Sequence, residues 1–518
     1  TAKTYLLGGR SYPIRIDFFK YKEKTASIRF EWKPANGAWE VPSESDFMTS
    51  LSPRVMVTQT PFPPDDHSLG YDRGATVSKE WLRAVTDAAF EVGNEVEDRL
   101  TALSGVGKTT PNRVSRLKKF TTEFAERAFR RPLAEKERQG FDALFDETEK
   151  PGLAVKRGIM RTLKSPYFLY PDLPHGITPE AYRTISRLAL NMWDSAPDEK
   201  LFALARAGRI QGRDQLKAQA KRMLDDPRTR TKVLEFFHHW LGTDVERDLL
   251  KDKKSYPEFD ENTIADMRHS LNLFLETLTW SESSDYRKLL LSNKIQLNGR
   301  LAKLFPSKTV GGGFESIDFD PKRRAGILTH PYVLTAYAYP NNSSPIHRGV
   351  FLTRNLLGRT LKPPPKATPF RSEDLDPKLS IREMVAEITK HATCMGCHRT
   401  INPLGFSLEN YDAIGRWRST ENNKPVNAKS EYENRDGRFV RLSGARSLAE
   451  FAVNDEGTQK AFIQKLFQYL TKQPVEAYGP KALSNLHGHF TKSDFNIKSL
   501  IIEIVCLGSM KGVQAEPT

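Results

Sequence analysis

Two periodicities divide the chain. Up to about residue 58 apolar and polar residues alternate as in half-buried strands: Tyr12-Pro-Ile-Arg-Ile-Asp-Phe-Phe, then Ala26-Ser-Ile-Arg-Phe-Glu-Trp32, then Trp39-Glu-Val. A proline-rich link, Thr60-Pro-Phe-Pro-Pro-Asp-Asp-His-Ser-Leu-Gly, ends that pattern. Its Asp65, Asp66 and His67 suit turn chemistry better than a cation site. From Ser78 onward apolar residues recur every three or four positions. This spacing predicts helices over 78–103, 120–129, 153–170, 180–193, 214–224, 231–241 and 261–279. Further helices are expected at 381–391, around Leu448, at 462–470 and at 496–507, with a short β piece near Asp436-Gly437. Phe236, Phe237 and Trp240 fall at helical spacing and read as core. The adjacent His238 and His239 face different sides, so they cannot form an i, i+4 ligand pair.

The expected fold is therefore mainly α and multi-domain. An N-terminal β-sandwich portion over 1–58 precedes a linker and first helical domain at 59–170 and a second helical domain at 171–300. A domain at 301–420, whose Cys394-Met-Gly-Cys397-His398 is the attachment signature of c-type haem, and a C-terminal helical domain at 421–518 follow. A chain of 518 residues is too long for one core, which fits several domains.

Charge narrows the partners. The net charge of +15 favours an acidic partner, which is a redox protein or an anionic polysaccharide. The Lys and Arg residues are dispersed and no nucleic-acid-binding signature accompanies them, so nucleic acid is not expected. The longest apolar runs, such as Leu500-Ile-Ile-Glu-Ile-Val-Cys-Leu507, are too short to span a bilayer. Thr1 opens without a signal peptide, which suggests a mature or trimmed chain.

The chemistry concentrates at His391-Ala-Thr-Cys394-Met-Gly-Cys397-His398. Cys-x-x-Cys-His is the attachment signature of c-type haem. The two thiols add across the haem vinyl groups, and the adjacent imidazole serves as proximal iron ligand. These are two of only three cysteines, so the pair does not come from a cysteine-rich background. Zinc would want a second ligand pair, which is missing. A redox dithiol or plain disulfide remains an alternative, although no βαβ pattern accompanies the pair. Pro403 stands where the chain is expected to turn back beneath the haem, and nearby backbone carbonyls can accept from Nδ1–H of His398. Tyr411 and Trp417 are expected near the macrocycle. Arg416 or Arg418 suits the haem propionates. One covalent haem c, attached outside the cytoplasm, implies a periplasmic or cell-surface address.

Longer strings carry resemblances. The N-terminal Gly8-Gly-Arg-x-Tyr-Pro-Ile-Arg-Ile and Ile28-Arg-Phe-Glu-Trp32 resemble the C-terminal half of a protective-antigen-type β-sandwich, a carbohydrate-associated family. That implies a second chain or an upstream fragment completing the sandwich. Phe62-Pro-Pro-Asp-Asp, Ala128-Phe-Arg-Arg-Pro-Leu, Ser165-Pro-Tyr-Phe-Leu-Tyr and Trp193-Asp-Ser-Ala-Pro-Asp-Glu are similar to strings of the planctomycete cytochrome-c-domain proteins. So are Arg222-Met-Leu-Asp-Asp-Pro-Arg, Ser344-Pro-Ile-His-Arg-Gly, and Cys394-x-x-Cys-His with Asn402-Pro-Leu-Gly-Phe-x-Leu-Glu-Asn-Tyr-Asp-x-Ile-Gly-Arg-Trp-Arg. The resemblance implies haem ligation by Cys394, Cys397 and His398 and an extracytoplasmic address, without supplying an activity. Tyr339 stands where that family tends to carry a histidine, which puts any role for that imidazole in doubt.

The sixth iron ligand separates the functional readings. The only methionine after His398 is Met510, close to the end of the chain. Candidate imidazoles are His347, His391, His487 and His489, with His347 ranked first among them. Bis-His ligation suits electron transfer within a larger extracytoplasmic assembly, which is the leading reading. The alternatives are a polysaccharide-binding scaffold with a structural haem, and a peroxidase-type oxidoreductase with an open iron site.

Overall fold

The computed structural model describes residues 78–171, 179–210, 212–244, 249–307, 313–361 and 378–510 without a break, together with parts of 4–65. The helical periodicity is realised closely. Helices run over Lys79–Asp98, Arg113–Phe129, Pro151–Leu163, Glu180–Trp193, Arg213–Leu224, Pro227–Leu241 and Glu261–Thr279. Side-chain caps fix several starts. Asp198, Asp226 and Asp260 each accept from a backbone N–H in the first turn of the helix that follows.

No β-sandwich is formed among the described residues, which corrects the expectation for residues 1–58. Among the described residues before 66 there is no strand, and Trp32 alone takes part in a bridge. Ile14, Ile16 and Phe18 are about half exposed, and Phe19 is 88% exposed. Alternation marks a strand only where neighbours pair its backbone and cover its apolar side. No described element does either. Residues 20–26 and much of the third expected strand lie outside the described residues, as do Asp66, His67 and the Lys362-Pro-Pro-Pro-Lys stretch.

The described β structure is three two-stranded antiparallel pairs. Lys294–Leu297 pairs with Glu315–Asp318, Thr420–Glu421 with Lys424–Pro425, and Lys429–Glu433 with Phe439–Ser443. The last hairpin is the β piece expected near Asp436, and Gly437 in its turn has φ of 75°.

Apolar burial sorts the helices into two bodies of packing. The helices from Lys79 to Leu169 close on each other around small cores, one built on Leu117, Val155 and Ile159 and the other on Phe129 and Phe141. A much larger core draws on residues from Tyr182 to Cys506, with a small satellite of Ile381, Met384, Val385 and Phe406 beside it. Phe236, Phe237 and Trp240 sit inside the larger core, each at most 2% exposed. Among the described residues no helix is long and apolar enough to cross a membrane.

Candidate functional site

The cysteine motif is carried by two successive helices. The first, Ile381–Ile388, starts at a reciprocal cap: Ser380 Oγ accepts from Glu383 N, and the Glu383 carboxylate accepts from Ser380 N at 2.7 Å. It buries Ile381, Met384 and Val385 against Phe406 and Ile346. The predicted helix over 381–391 is interrupted at Thr389, because His391 adopts an extended conformation (ψ 142°) and opens the second helix, Ala392–Phe406. Cys394 and Cys397 lie i, i+3 on this second helix and so share a side, with His398 next to them. All three are half-buried, while Met395 beside them is 37% exposed. Gly396 lies in open space, with no atom within 4 Å of where a Cβ would stand.

A directional chain of hydrogen bonds runs back from the imidazole. His398 Nδ1 lies 2.8 Å from Asn402 Oδ1, Asn402 Nδ2 donates to Thr389 Oγ1 at 2.8 Å, and Thr389 Oγ1 donates to Val385 O at 2.7 Å. The last bond uses the only hydroxyl proton of Thr389, so Oγ1 must accept from the amide of Asn402. The amide oxygen then faces His398, which must donate from Nδ1–H. Nε2 is left with its lone pair outward, the form needed for metal ligation. Asn402 and Thr389 are 7% and 4% exposed, so water does not compete for these bonds.

The rest of the unit locks the motif helix in place. Helix Pro345–Phe351 crosses it at two glycines. A Cβ on Gly405 would stand 1.9 Å from Pro345 O, and one on Gly349 would stand 2.2 Å from Ile401 O. The contacts run antiparallel, which sets His347 level with Pro403 rather than with His398. Arg348, 1% exposed, donates to the carbonyls of Leu408, Tyr411 and Asp412 at 3.0, 2.7 and 2.7 Å. Burial pushes its guanidinium down to about 10, while the nearby Glu409 carboxylate opposes that shift. Arg324 likewise bonds Thr329 O and Gly415 O. The strings Ser344-Pro-Ile-His-Arg-Gly and Asn402-Pro-Leu-Gly-Phe are therefore the two halves of one helix crossing.

The remaining expected residues fall as follows. Pro403 does not turn the chain; the helix continues through it to Phe406, and Pro403 O accepts from Ser430 Oγ at 2.7 Å. Arg416 pairs with Asp412 at 2.7 Å, and Arg418 with Glu409 and Glu421 at 3.2 and 3.0 Å, so both guanidiniums are engaged by protein carboxylates. Tyr411 is 2% exposed and donates to Arg323 O, while Trp417 carries Arg323 over its ring at 4.0 Å. His347 is exposed, its ring 5.1 Å from that of Tyr339. His391 caps the motif helix without a side-chain bond. His487 and His489 lie on helix Ala482–Lys492, bonded to Gln459 and Ser499. Asn402 and Thr389 are not singled out by sequence reasoning, although Asn402 lies i+4 from His398, the spacing at which side chains meet on a helix.

Three family models match parts of the chain, each described as a protein of unknown function. PSD5 (DUF1595) matches residues 116–171, PSD4 (DUF1592) residues 180–306, and PSCyt3 (DUF1588) residues 324–421. These are planctomycete-type domains related to cytochrome c families. The third span contains the cysteine motif and the whole helix crossing. No curated protein matches the chain, and no solved structure does.

Proposed function

We propose that the unit spanning Arg324 to Arg418 holds one covalent c-type haem and that the protein carries electrons outside the cytoplasm, within a larger assembly. The observation that carries this reading is the chain from His398 through Asn402 and Thr389 to Val385 O, because it leaves Nε2 as a ligand in one fixed orientation. Among the described residues no group of three or more His, Cys, Asp or Glu converges as a site for a bare ion. A haem brings four nitrogen donors of its own and needs only one or two from the protein. The cytochrome label of the family model over 324–421 points the same way.

Bound there, the haem supplies a one-electron ferric–ferrous couple. The chain's residues do the rest. Cys394 and Cys397 tether the group along one side of their helix, and His398 Nε2 ligates the iron. Asn402 and Thr389 hold the ring and raise its basicity. The half-buried thiols beside exposed Met395 and the open space at Gly396 leave one edge of the site near the surface, which suits electron exchange with a partner protein. Among the imidazoles, exposed His347 would be the first candidate for the sixth position, from a helix whose crossing sets it level with Pro403 rather than with His398. Arg416 and Arg418 act here by fixing the loop that follows the motif helix.

Optical and electron paramagnetic resonance spectra of the oxidised and dithionite-reduced protein test this reading. A low-spin iron indifferent to carbon monoxide is expected, and His347→Ala converts it to high spin. A high-spin iron that binds carbon monoxide in the unaltered protein contradicts electron transfer through a six-coordinate haem.

A further inference from the structure

A cavity of about 470 Å3 opens between helices Arg213–Leu224, Ala482–Lys492 and Ile497–Ser509, and none of its lining residues belongs to the cysteine motif. On its wall is Glu503, whose side chain is 5% exposed and is held by Arg213 and Lys217. His489 Nδ1 approaches the same carboxylate at 4.0 Å, while its Nε2 bonds Ser499 Oγ at 2.8 Å. Burial tends to raise the Glu503 carboxyl, but its bonds to Lys217 and Arg213 outweigh that and hold it below the ordinary range.

The cations exceed what one carboxylate can neutralise. Arg213 and Lys217 remain 47% and 34% exposed. Lys481, exposed at the rim, has no acidic partner among the described residues. Helices Arg213–Leu224 and Ala482–Lys492 both begin at the cavity, and neither start has a side-chain cap. Their first-turn N–H groups and the positive ends of their dipoles add to the field. The remaining wall is different in kind: Tyr478, Pro480, Leu486 and Leu507 offer ring and apolar surface, and Tyr478 is braced edge-on by Phe467 at 5.1 Å. A bare inorganic ion would make no use of that surface, and the volume lies in the range of small-ligand sites.

We infer that this cavity binds a sugar-sized organic anion carrying a carboxylate, of the uronic-acid class. The surplus cations and helix starts take the carboxylate, Asn485 takes hydroxyls, and Tyr478 with Pro480 covers a ring face. The same chemistry can come from a free sugar acid or from the end residue of an acidic polysaccharide. The site is independent of the haem reading, and either can fail without the other.

Calorimetric titration of the full chain at low ionic strength tests it with glucuronate, glucose, sodium sulfate and a glucuronate-ended oligosaccharide. One equivalent of glucuronate is expected to bind while glucose does not, and sulfate is expected to compete only weakly. Lys481→Met is expected to weaken glucuronate about tenfold, the cost of one charge-assisted hydrogen bond, with an unchanged thermal melt. Asn485→Ala provides a second variant at an exposed position. Tighter binding of the oligosaccharide identifies a polysaccharide end as the source, and equal binding identifies the free acid. Absence of glucuronate binding, sulfate binding as tightly as glucuronate, or indifference to both substitutions overturns the inference.

Discussion

His398 owes its orientation to Asn402, and Asn402 owes its own to Thr389. Two short side chains thus do what backbone carbonyls were expected to do. The cysteines and the imidazole are readable from their spacing alone, whereas the acceptor is not, because nothing in the motif says that the helix runs on past Pro403. Asn402→Leu removes the bond while keeping the volume and is expected to raise the haem potential. A tenfold change in the relative affinity for ferric and ferrous iron corresponds to about 59 mV, the order expected here by redox titration. An unchanged potential would deny Asn402 this role. Among the other histidines, burial pushes His330 down to about 3 and His238 down to about 4. The neutral form of His330 is built in: Nδ1 accepts from Tyr332 N, and Nε2 faces Ser270 Oγ. Unfolded, both rings take protons near pH 6.5; folded, they resist until pH 3 to 4. Stability is therefore lost as pH falls below about 6.5, by about 2–3 kcal/mol per histidine at pH 4.5. Urea unfolding at pH 7 and pH 4.5 measures it, and His330→Gln should flatten the slope.

At the scale of elements, helices were legible and the N-terminal strands were not. The spacing over 180–193 and 261–279 meets helices Glu180–Trp193 and Glu261–Thr279. A helix satisfies its own backbone, so its pattern is local. A strand depends on neighbours, and the alternation at Ile14, Ile16 and Phe18 finds none among the described residues, so those side chains lie exposed. The crossing of Pro345–Phe351 over Ala392–Phe406 was hidden for a related reason. Gly349 and Gly405 are informative only once the two segments are known to touch. Gly405→Ala places a Cβ 1.9 Å from Pro345 O, where backbone cannot yield cheaply. A loss of about 3 kcal/mol in denaturant unfolding is expected, with weaker haem retention during expression. Gly396→Ala, in open space within the same helix, is the control and should be neutral or stabilising by up to about 1 kcal/mol.

For the whole molecule, the separation of apolar cores has a thermal consequence. The helices from Lys79 to Leu169 bury their own residues, and the body from Tyr182 to Cys506 buries a larger core of its own. Differential scanning calorimetry is expected to resolve two transitions, the smaller from the first body. One sharp transition would mean that the bodies are coupled. The dispersed surplus of basic residues stated a sign of charge but no address for it; only the fold brings Arg213, Lys217 and Lys481 to one cavity. The cysteine motif, by contrast, is local in sequence and remains local in the fold. The most direct test of the central claim is the intact mass of the extracytoplasmically expressed protein after acid denaturation, beside Cys394→Ala/Cys397→Ala. Retention of one haem mass by the unaltered protein, and its loss in the double variant, is the predicted result. A mass equal to that of the polypeptide alone would contradict covalent haem and, with it, the electron-transfer reading.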